Sequence, residues 1–240
     1  MPNTLLLLPG LMCDAAVWAP QVQALSSQAR CEVVRYGLLD SLSAMAEHVL
    51  ITAPTERFSL AGHSMGGRVA LEVLRLAPER VERLALLDTG THPLAHGEVG
   101  ERERAGRMAL LSQARRQGMR NMASLWARGM VHPDHRSTPV FESVLDMLER
   151  SSPEQFEAQI NALLTRPDAA PLLPTITCPT LILCGREDSW SPPEQHTAMH
   201  AALQTGACAS ELVIIEQCGH MCTMEQSLAV NEALTRWLAS

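Results

Sequence analysis

Six short apolar runs punctuate the chain: Thr4–Leu8, Cys31–Tyr36, Phe58–Ala61, Leu84–Leu87, Thr180–Cys184 and Leu212–Ile215. They are continuous rather than alternating, which suits strands covered on both faces, as in a parallel sheet. Helical periods lie between them. Leu42, Met45, Ala46, Val49 and Leu50 recur at helical spacing behind Ser41, a residue suited to the N-cap. Gly66–Ala77 is apolar nearly all round, as a buried helix must be, and Pro78 stops it. Ser191-Pro192-Pro193-Glu194 reads as a capping box with Pro in the first helical turn. Thr223 and Gln226 read as a second box, before a helix that buries Val230, Leu234 and Trp237. The β-α-β-α alternation predicts an α/β fold with a doubly wound, mainly parallel six-stranded sheet.

The rhythm breaks between Thr91 and Thr175. No strand pattern occurs there, and helical patterns recur over 98–117, 119–129, 138–150 and 153–165, separated by Gly118, Pro133, Pro139 and Pro153. The expectation is a core built from 1–90 and 176–240, with an all-helical lid over 91–175 inserted between two strands. That insert carries ten arginines and ten acids, so the core holds the whole formal charge of −7.

At 240 residues and 46% apolar composition the chain suits one or at most two domains with a sizeable core, and disorder or a collagen-like repeat is excluded. The acidic balance, with no basic run, argues against nucleic acid as a partner. All nineteen Lys+Arg positions are Arg. Schiff-base lysine chemistry, a Ser–Lys dyad, a lysine-bearing P-loop and pyridoxal-phosphate attachment are therefore excluded. The seven cysteines are scattered without Cys-x-x-Cys spacing, which argues against a disulfide framework and for a reducing cytoplasm. Cys218 and Cys222 bracket His220, but a structural zinc site needs four ligands at recognisable spacing, so no metal is expected, nor any cofactor. The opening MPNTLLLLPG has no positive n-region and only four leucines in a row, and no run approaches the ~20 apolar residues of a membrane span. Neither an export signal nor a membrane partner is expected. Oligomeric state is not readable.

The strongest chemical signal is Gly62-His63-Ser64-Met65-Gly66, placed after the run Phe58–Ala61 and before the Gly66–Ala77 helix. G-x-S-x-G in a strand–turn–helix context lifts the serine hydroxyl above the sheet, and the helix aims its positive end and free N–H groups at the same point. The turn is too tight for side chains two positions to either side of the serine, hence the glycines.

With LLLLPGLMCDAAVW, LAGHSMGGRVALEVLRLAPERV, LILCGREDSWSP and EQCGHMCTMEQ, the chain resembles the α/β-hydrolase family from Thr4 to the C-terminal helix. The sequence begins almost at the strand that is usually third, so the resemblance leads us to expect the family's leading hairpin to be missing. The run Cys31–Tyr36 should then be a sheet edge, with Arg35 serving to blunt it. The resemblance implies a catalytic His in the loop after the last strand, which is His220. It implies an acid after the preceding strand, Asp188, giving the order Ser64…Asp188…His220. Asp88, at the end of the strand before that, occupies a position where some family members carry the acid; otherwise it caps the loop that opens the lid. Glu187 is adjacent to Asp188 but one residue off the pattern. The oxyanion donors implied are the backbone N–H groups of Met65 and of Leu11, with Met12 as the fallback. Met12, Trp18 and Arg68 are candidate substrate-binding residues; for Trp18 helix packing, and for Arg68 a helix-surface position, are the alternatives. Of the other histidines, His63 neighbours the nucleophile, His92, His96, His132 and His135 fall in or beside the lid, and His48, His196 and His200 fall on surface helices.

The resemblance implies a serine hydrolase that cleaves a small carboxylic ester through an acyl-enzyme. Gly66-Gly67-Arg68 is also similar to the menaquinone-pathway pyruvate-eliminating synthases, where an Arg after the elbow meets an anionic substrate. A carbon–carbon hydrolase or lyase on the same fold is thus the alternative. A non-catalytic hydrolase-like ligand receptor is a third.

Overall fold

The structure is a computed structural model and describes residues 3–240. Its strands are β1 (Asn3–Leu8), β2 (Ala29–Val33), β3 (Phe58–His63), β4 (Val81–Leu87), β5 (Thr180–Gly185) and β6 (Ser210–Ile215). All six apolar runs therefore seed strands. They form one parallel sheet in the order β2-β1-β3-β4-β5-β6. β2 lies earlier than the run Cys31–Tyr36 suggested. Among the described residues it pairs with β1 alone, from Asn3↔Ala29 to Leu7↔Val33, and the Val34 N–H makes a last bond to the Leu7 carbonyl at 3.0 Å before the chain leaves the sheet. The remaining apolar residues of that run pack against the core from a loop, Tyr36 among them.

The helices are α1 (Ala19–Leu25), α2 (Leu42–Thr52), α3 (Met65–Leu76), α4 (Glu98–Gln117), α5 (Met119–Trp126), α6 (Pro139–Glu149), α7 (Pro153–Leu164), α8 (Pro193–Leu203), a single turn α9 (Cys222–Glu225) and α10 (Ser227–Ala239). Strand order fixes how they layer. The β1–α1–β2 crossover moves in one direction along the sheet, while those through α2, α3 and α8 move in the other. Right-handed crossovers then place α1 on one face and α2, α3 and α8 on the other. The packing of α1 on α10 and of α2 on α3 agrees with this. Leu5–Leu8, Leu60, Ala61 and Leu181–Cys184 are buried between the layers. The loops after β1 and β3, neighbouring strands, leave toward opposite faces, which opens a crevice above the carboxyl ends of the strands.

Between β4 and β5 the chain is helical: α4 to α7 match the four predicted segments, and short 3-10 turns join them. Met122, Ala123, Val144, Leu148, Phe156 and Ile160 bury their inner faces. Arg120 bridges α5 to Glu142, Asp146 and Glu149 of α6. Exposed pairs of this kind contribute only ~0.2–1 kcal/mol each, so apolar packing holds the segment.

Neither capping box forms. α8 starts after Pro192 with no side-chain cap, and the Ser191 amide donates to Asp188 Oδ1 at 3.0 Å. Thr223 lies inside α9 with its hydroxyl unpartnered, and the Gly219 and Met221 amides donate to the buried Glu225 carboxylate. In both places a carboxylate, the stronger acceptor, takes over the local amides. His196 is also not a surface residue: it lies on the buried face of α8, and its Nε2 accepts from the Thr89 amide at 3.1 Å. Among the described residues no helix is long and apolar enough to cross a membrane.

Candidate active site

Ser64 sits between β3 and α3 at φ 56°, ψ −117°, a strained conformation for a residue with a side chain. The surroundings impose it. A Cβ on Gly62 would lie 2.6 Å from Gly67 Cα, and one on Gly66 would overlap the Leu8 carbonyl. β1, β3 and α3 therefore approach backbone to backbone, and the chain can turn only sharply. Ser64 N–H donates to the Leu87 carbonyl at 2.9 Å, and the Thr89 hydroxyl donates to the Ser64 carbonyl at 2.7 Å, which pins the elbow.

His220, in the loop after β6, reaches Ser64 Oγ with Nε2 at 2.8 Å. Its Nδ1–H donates to Asp188 Oδ2 at 2.8 Å. That bond fixes the tautomer, so Nε2 carries the lone pair that faces the serine hydroxyl. Asp188 Oδ1 is occupied by the amides of Trp190 (2.9 Å) and Ser191 (3.0 Å), which orient the carboxylate. Burial pulls His220 toward neutrality, but the Asp188 charge and hydrogen bond, with the Asp88 and Glu225 charges behind them, outweigh it and hold His220 above its ordinary value. Burial likewise raises Asp188, and His220 with the two loop amides more than offsets it, so Asp188 stays below the usual carboxylate range.

Asp88 is not bonded to His220. Its Oδ1 accepts from the Gly185 amide at 3.0 Å and its Oδ2 from the Cys222 amide at 3.3 Å. It thus joins the loops that carry Asp188 and His220, rather than capping the loop that opens the helical segment. Burial and the Asp188 charge push it up to about 8. Glu187 is exposed and accepts from the Cys218 amide at 2.9 Å, away from the imidazole. His63 is buried and donates Nε2–H to the His220 carbonyl at 2.7 Å; burial, then His220, lower it to about 4, so it stays neutral.

Among the described residues the amides of Leu11 and Met65 have no protein acceptor, whereas the Met12 amide is consumed by Gln159 Oε1 at 2.7 Å. Two residues with free amides thus line the cavity that holds Ser64, and the fallback Met12 is excluded. The side chains of Met12 and Trp18 are not in the cavity either. Met12 is buried beneath the loop, and Trp18 is wholly buried with its ring edge-on to His63. Each packs against the core, where its large apolar side chain gains most.

The cavity over Ser64 has a volume of about 530 Å³. Gly10, Leu11, Cys13 and Met65 floor it near the serine, and Trp126, Phe156 and Trp190 form an aromatic wall. The Trp190 ring centroid is 5.1 Å from that of His220. Cys13, pushed up to about 12 by burial, is an inert thiol there. Arg68 is not a plain surface residue: it lines the cavity with Arg102, Arg107 and Arg166. Arg68 Nη1 (2.9 Å) and Arg166 Nε (3.2 Å) donate to the same His92 carbonyl, and Arg166 and Arg107 share Glu103. Arg107, Arg166, Trp126, Trp190 and Gln159 were not singled out by sequence reasoning. Only Trp190, two residues beyond Asp188, had a local signal.

A serine hydroxyl bonded to an imidazole whose tautomer is fixed, in a cavity that free amides also line, is an arrangement that can carry acyl transfer. A model of the alpha/beta hydrolase family matches residues 5–233 of the chain. A 2-hydroxy-6-oxononadienedioate/2-hydroxy-6-oxononatrienedioate hydrolase of Klebsiella pneumoniae is 27% identical over 202 residues, which cover 77% of this chain and 63% of that protein. This chain thus spans less than two thirds of that relative's length. Among solved structures, a thermophilic esterase from Thermogutta terrifontis superposes with a TM-score of 0.84 at 28% identity, covering 99% of this chain and 91% of the esterase. The enol-lactonase of Burkholderia xenovorans LB400 shares the fold, with a TM-score of 0.83 at 21% identity over 100% of this chain and 92% of its own.

Proposed function

The chain belongs to the alpha/beta hydrolase family, and from that premise we propose that it is a serine hydrolase that cleaves a small carboxylic ester through an acyl-enzyme, with 91–175 as a lid over the core. The observation that carries this reading is the relay Ser64 Oγ to His220 Nε2 and His220 Nδ1 to Asp188, both at 2.8 Å, beside the free Leu11 and Met65 amides. Ser64 Oγ attacks the ester carbonyl as His220 Nε2 takes its proton, and Asp188 stabilises the imidazolium. The carbonyl oxygen becomes an oxyanion held by the two amides. Collapse expels the alcohol, protonated by His220. Water, deprotonated by His220, then attacks the acyl-enzyme, and Ser64 leaves with its proton restored.

A second reading, carbon–carbon bond hydrolysis of an anionic substrate, is favoured by the guanidiniums that line the cavity. Arg107 and Arg166 share one carboxylate, Glu103, and Arg68, which donates to the His92 carbonyl, pairs with none among the described residues. A substrate carboxylate would compensate them through charge-assisted hydrogen bonds. The similar Klebsiella hydrolase is named for a dioate. A panel of neutral esters of graded acyl length, half-esters with a terminal carboxylate, and vinylogous diketo acids separates the readings. The ester reading expects turnover of esters, with Arg166→Gln raising KM about tenfold for carboxylate-bearing ones, roughly 1.4 kcal/mol of binding, and leaving neutral ones nearly unchanged. Turnover of the diketo acids alone would replace it with the second reading.

A further inference from the structure

We infer that Glu225 is a positioning residue for His220: one of its carboxylate oxygens grips the loop amides around His220, and the other grips the 130–135 stretch of the helical segment, so that the seating of that segment sets where the base stands. The inference rests on the serine-hydrolase reading and adds to it a residue that lies outside the Ser64–His220–Asp188 relay.

The side chain of Glu225 is wholly buried. Its Oε1 accepts from the amides of Gly219 at 3.0 Å and Met221 at 3.1 Å, one on each side of His220. Its Oε2 accepts from the His132 amide at 2.7 Å and from His135 Nδ1–H at 2.8 Å. All four partners donate, which is the full complement of a carboxylate. The Gly219 and Met221 amides are buried, so without the carboxylate the loop must move to find them other acceptors. Glu225 closes the single turn α9 and reaches back over the residues just before it.

A side chain leaves the backbone in a direction set by the two peptides that flank its Cα, since φ and ψ are the only soft backbone angles. The peptide before His220 is held by its N–H, which donates to the Met130 carbonyl at 2.6 Å. The peptide after it is held at both ends: the His220 carbonyl accepts from His63 Nε2–H at 2.7 Å, and the Met221 N–H donates to Glu225. A peptide gripped at one atom can still swivel, whereas one gripped at both has its plane fixed. Glu225 therefore completes the hold on the second peptide. It also governs the first, because Oε2 fixes the His132 amide two residues beyond Met130. The two backbones lie in contact there: a Cβ added at Gly219 would lie 2.7 Å from the Met130 carbonyl oxygen and 2.8 Å from the His132 nitrogen. What is left for Asp188 to set is the rotation of the ring, through its bond to Nδ1. One carboxylate thus keeps the loop and the helical segment in register around the base.

Glu225→Met, Glu225→Gln and His135→Phe test this beside wild type and Ser64→Ala, on a short p-nitrophenyl ester and with a fluorophosphonate, whose end-point labelling counts the active sites to which each rate is referred. Glu225→Met keeps the length and removes all four bonds. A misplacement of about 1 Å in a catalytic group can cost ~10²-fold, so kcat should fall about a hundredfold with KM within about twofold. Glu225→Gln still accepts from the Gly219 and Met221 amides but turns an NH₂ toward the His132 amide, and should lose about tenfold; His135→Phe removes one donor of the four and should lose about threefold. The double variant Glu225→Met with His135→Phe should stay within about twofold of Glu225→Met, because the two act through one acceptor. In a His220→Ala background Glu225→Met should leave the slow labelling of Ser64 unchanged within about twofold, as expected of a residue that acts through His220; a merely structural role, distorting the elbow or the cavity, would slow it there too. Wild-type kcat in Glu225→Met or His135→Phe, a loss expressed in KM, losses that multiply in the double variant, or further slowing in the His220→Ala background overturns the inference. Should Glu225→Met not fold, kcat losses at constant KM in both Glu225→Gln and His135→Phe support it, and wild-type kcat in either overturns it. Activity that survives Ser64→Ala would sink the hydrolase reading instead. Ser64-dependent activity indifferent to Glu225 sinks only this inference.

Discussion

Two buried carboxylates stand near His220, and their hydrogen bonds divide the work between them. Asp188 accepts from the imidazole and from two amides of its own loop. Among the described residues Asp88 accepts hydrogen bonds from backbone amides alone, in the loops carrying the other two groups. In the proposed mechanism Asp188→Asn should lower kcat by about 10⁴, the usual cost of losing the tautomer-fixing acid, with little change in KM, and Asp88→Asn far less. Because the base must be neutral, wild-type kcat/KM should rise with pH through the His220 pKa, held above its ordinary value by Asp188. Asp88 adds a pH dependence of opposite sign, in stability. Its pKa is raised by folding from 3.8 to about 8, so the folded state binds the extra proton and stability falls as pH rises across that window. Thermal unfolding between pH 5 and 9 should show a steeper alkaline loss for wild type than for Asp88→Asn; equal slopes would contradict the assignment. Sequence carries half of this. Asp188 is legible because it follows a strand end in the right order, whereas the partners of Asp88 lie 97 and 134 residues away and leave no local mark.

The β3–turn–α3 element shows how directly an amino-acid pattern can encode geometry. Glycine at 62 and 66 is what lets two strands and a helix meet without side chains between them, and the strain at Ser64 is the consequence. Gly66→Ala should lose at least the upper end of the ~1–3 kcal/mol typical of overpacking, because the added carbon meets the Leu8 backbone, which has no rotamer to escape into. Chemical denaturation measures that loss, and a midpoint near wild type would refute it. The four helices of the 91–175 segment were equally readable, since each carries its own apolar period between Gly or Pro breaks. Helix starts near the site were not. Ser191 and Thr223 had the right spacing for capping, but the carboxylates of Asp188 and Glu225 claim the neighbouring amides. Glu225 also accepts from the His132 amide (2.7 Å) and His135 Nδ1 (2.8 Å), and His220 N–H donates to the Met130 carbonyl at 2.6 Å. The loop bearing His220 is therefore stitched to the helical segment, a tertiary demand that no capping rule anticipates.

At the scale of the whole molecule, strand order decides where chemistry can occur. The reversal of winding at β1 brings the loops after β1 and β3 together, and β5 and β6 extend the same edge, so Leu11, Ser64, Asp188 and His220 converge from four carboxyl ends. The topology was readable from the alternation of runs. Which arginines meet was not: a chain of net charge −7 with a neutral helical segment gives no hint that Arg68, Arg107 and Arg166 line one cavity. The central claim is that Ser64 is an activated nucleophile, and a fluorophosphonate probe with peptide mass spectrometry tests it most directly. The account predicts a single adduct on Ser64, absent from Ser64→Ala and strongly slowed in His220→Ala, whereas no adduct, or one on another residue with Ser64 unmodified, would contradict it.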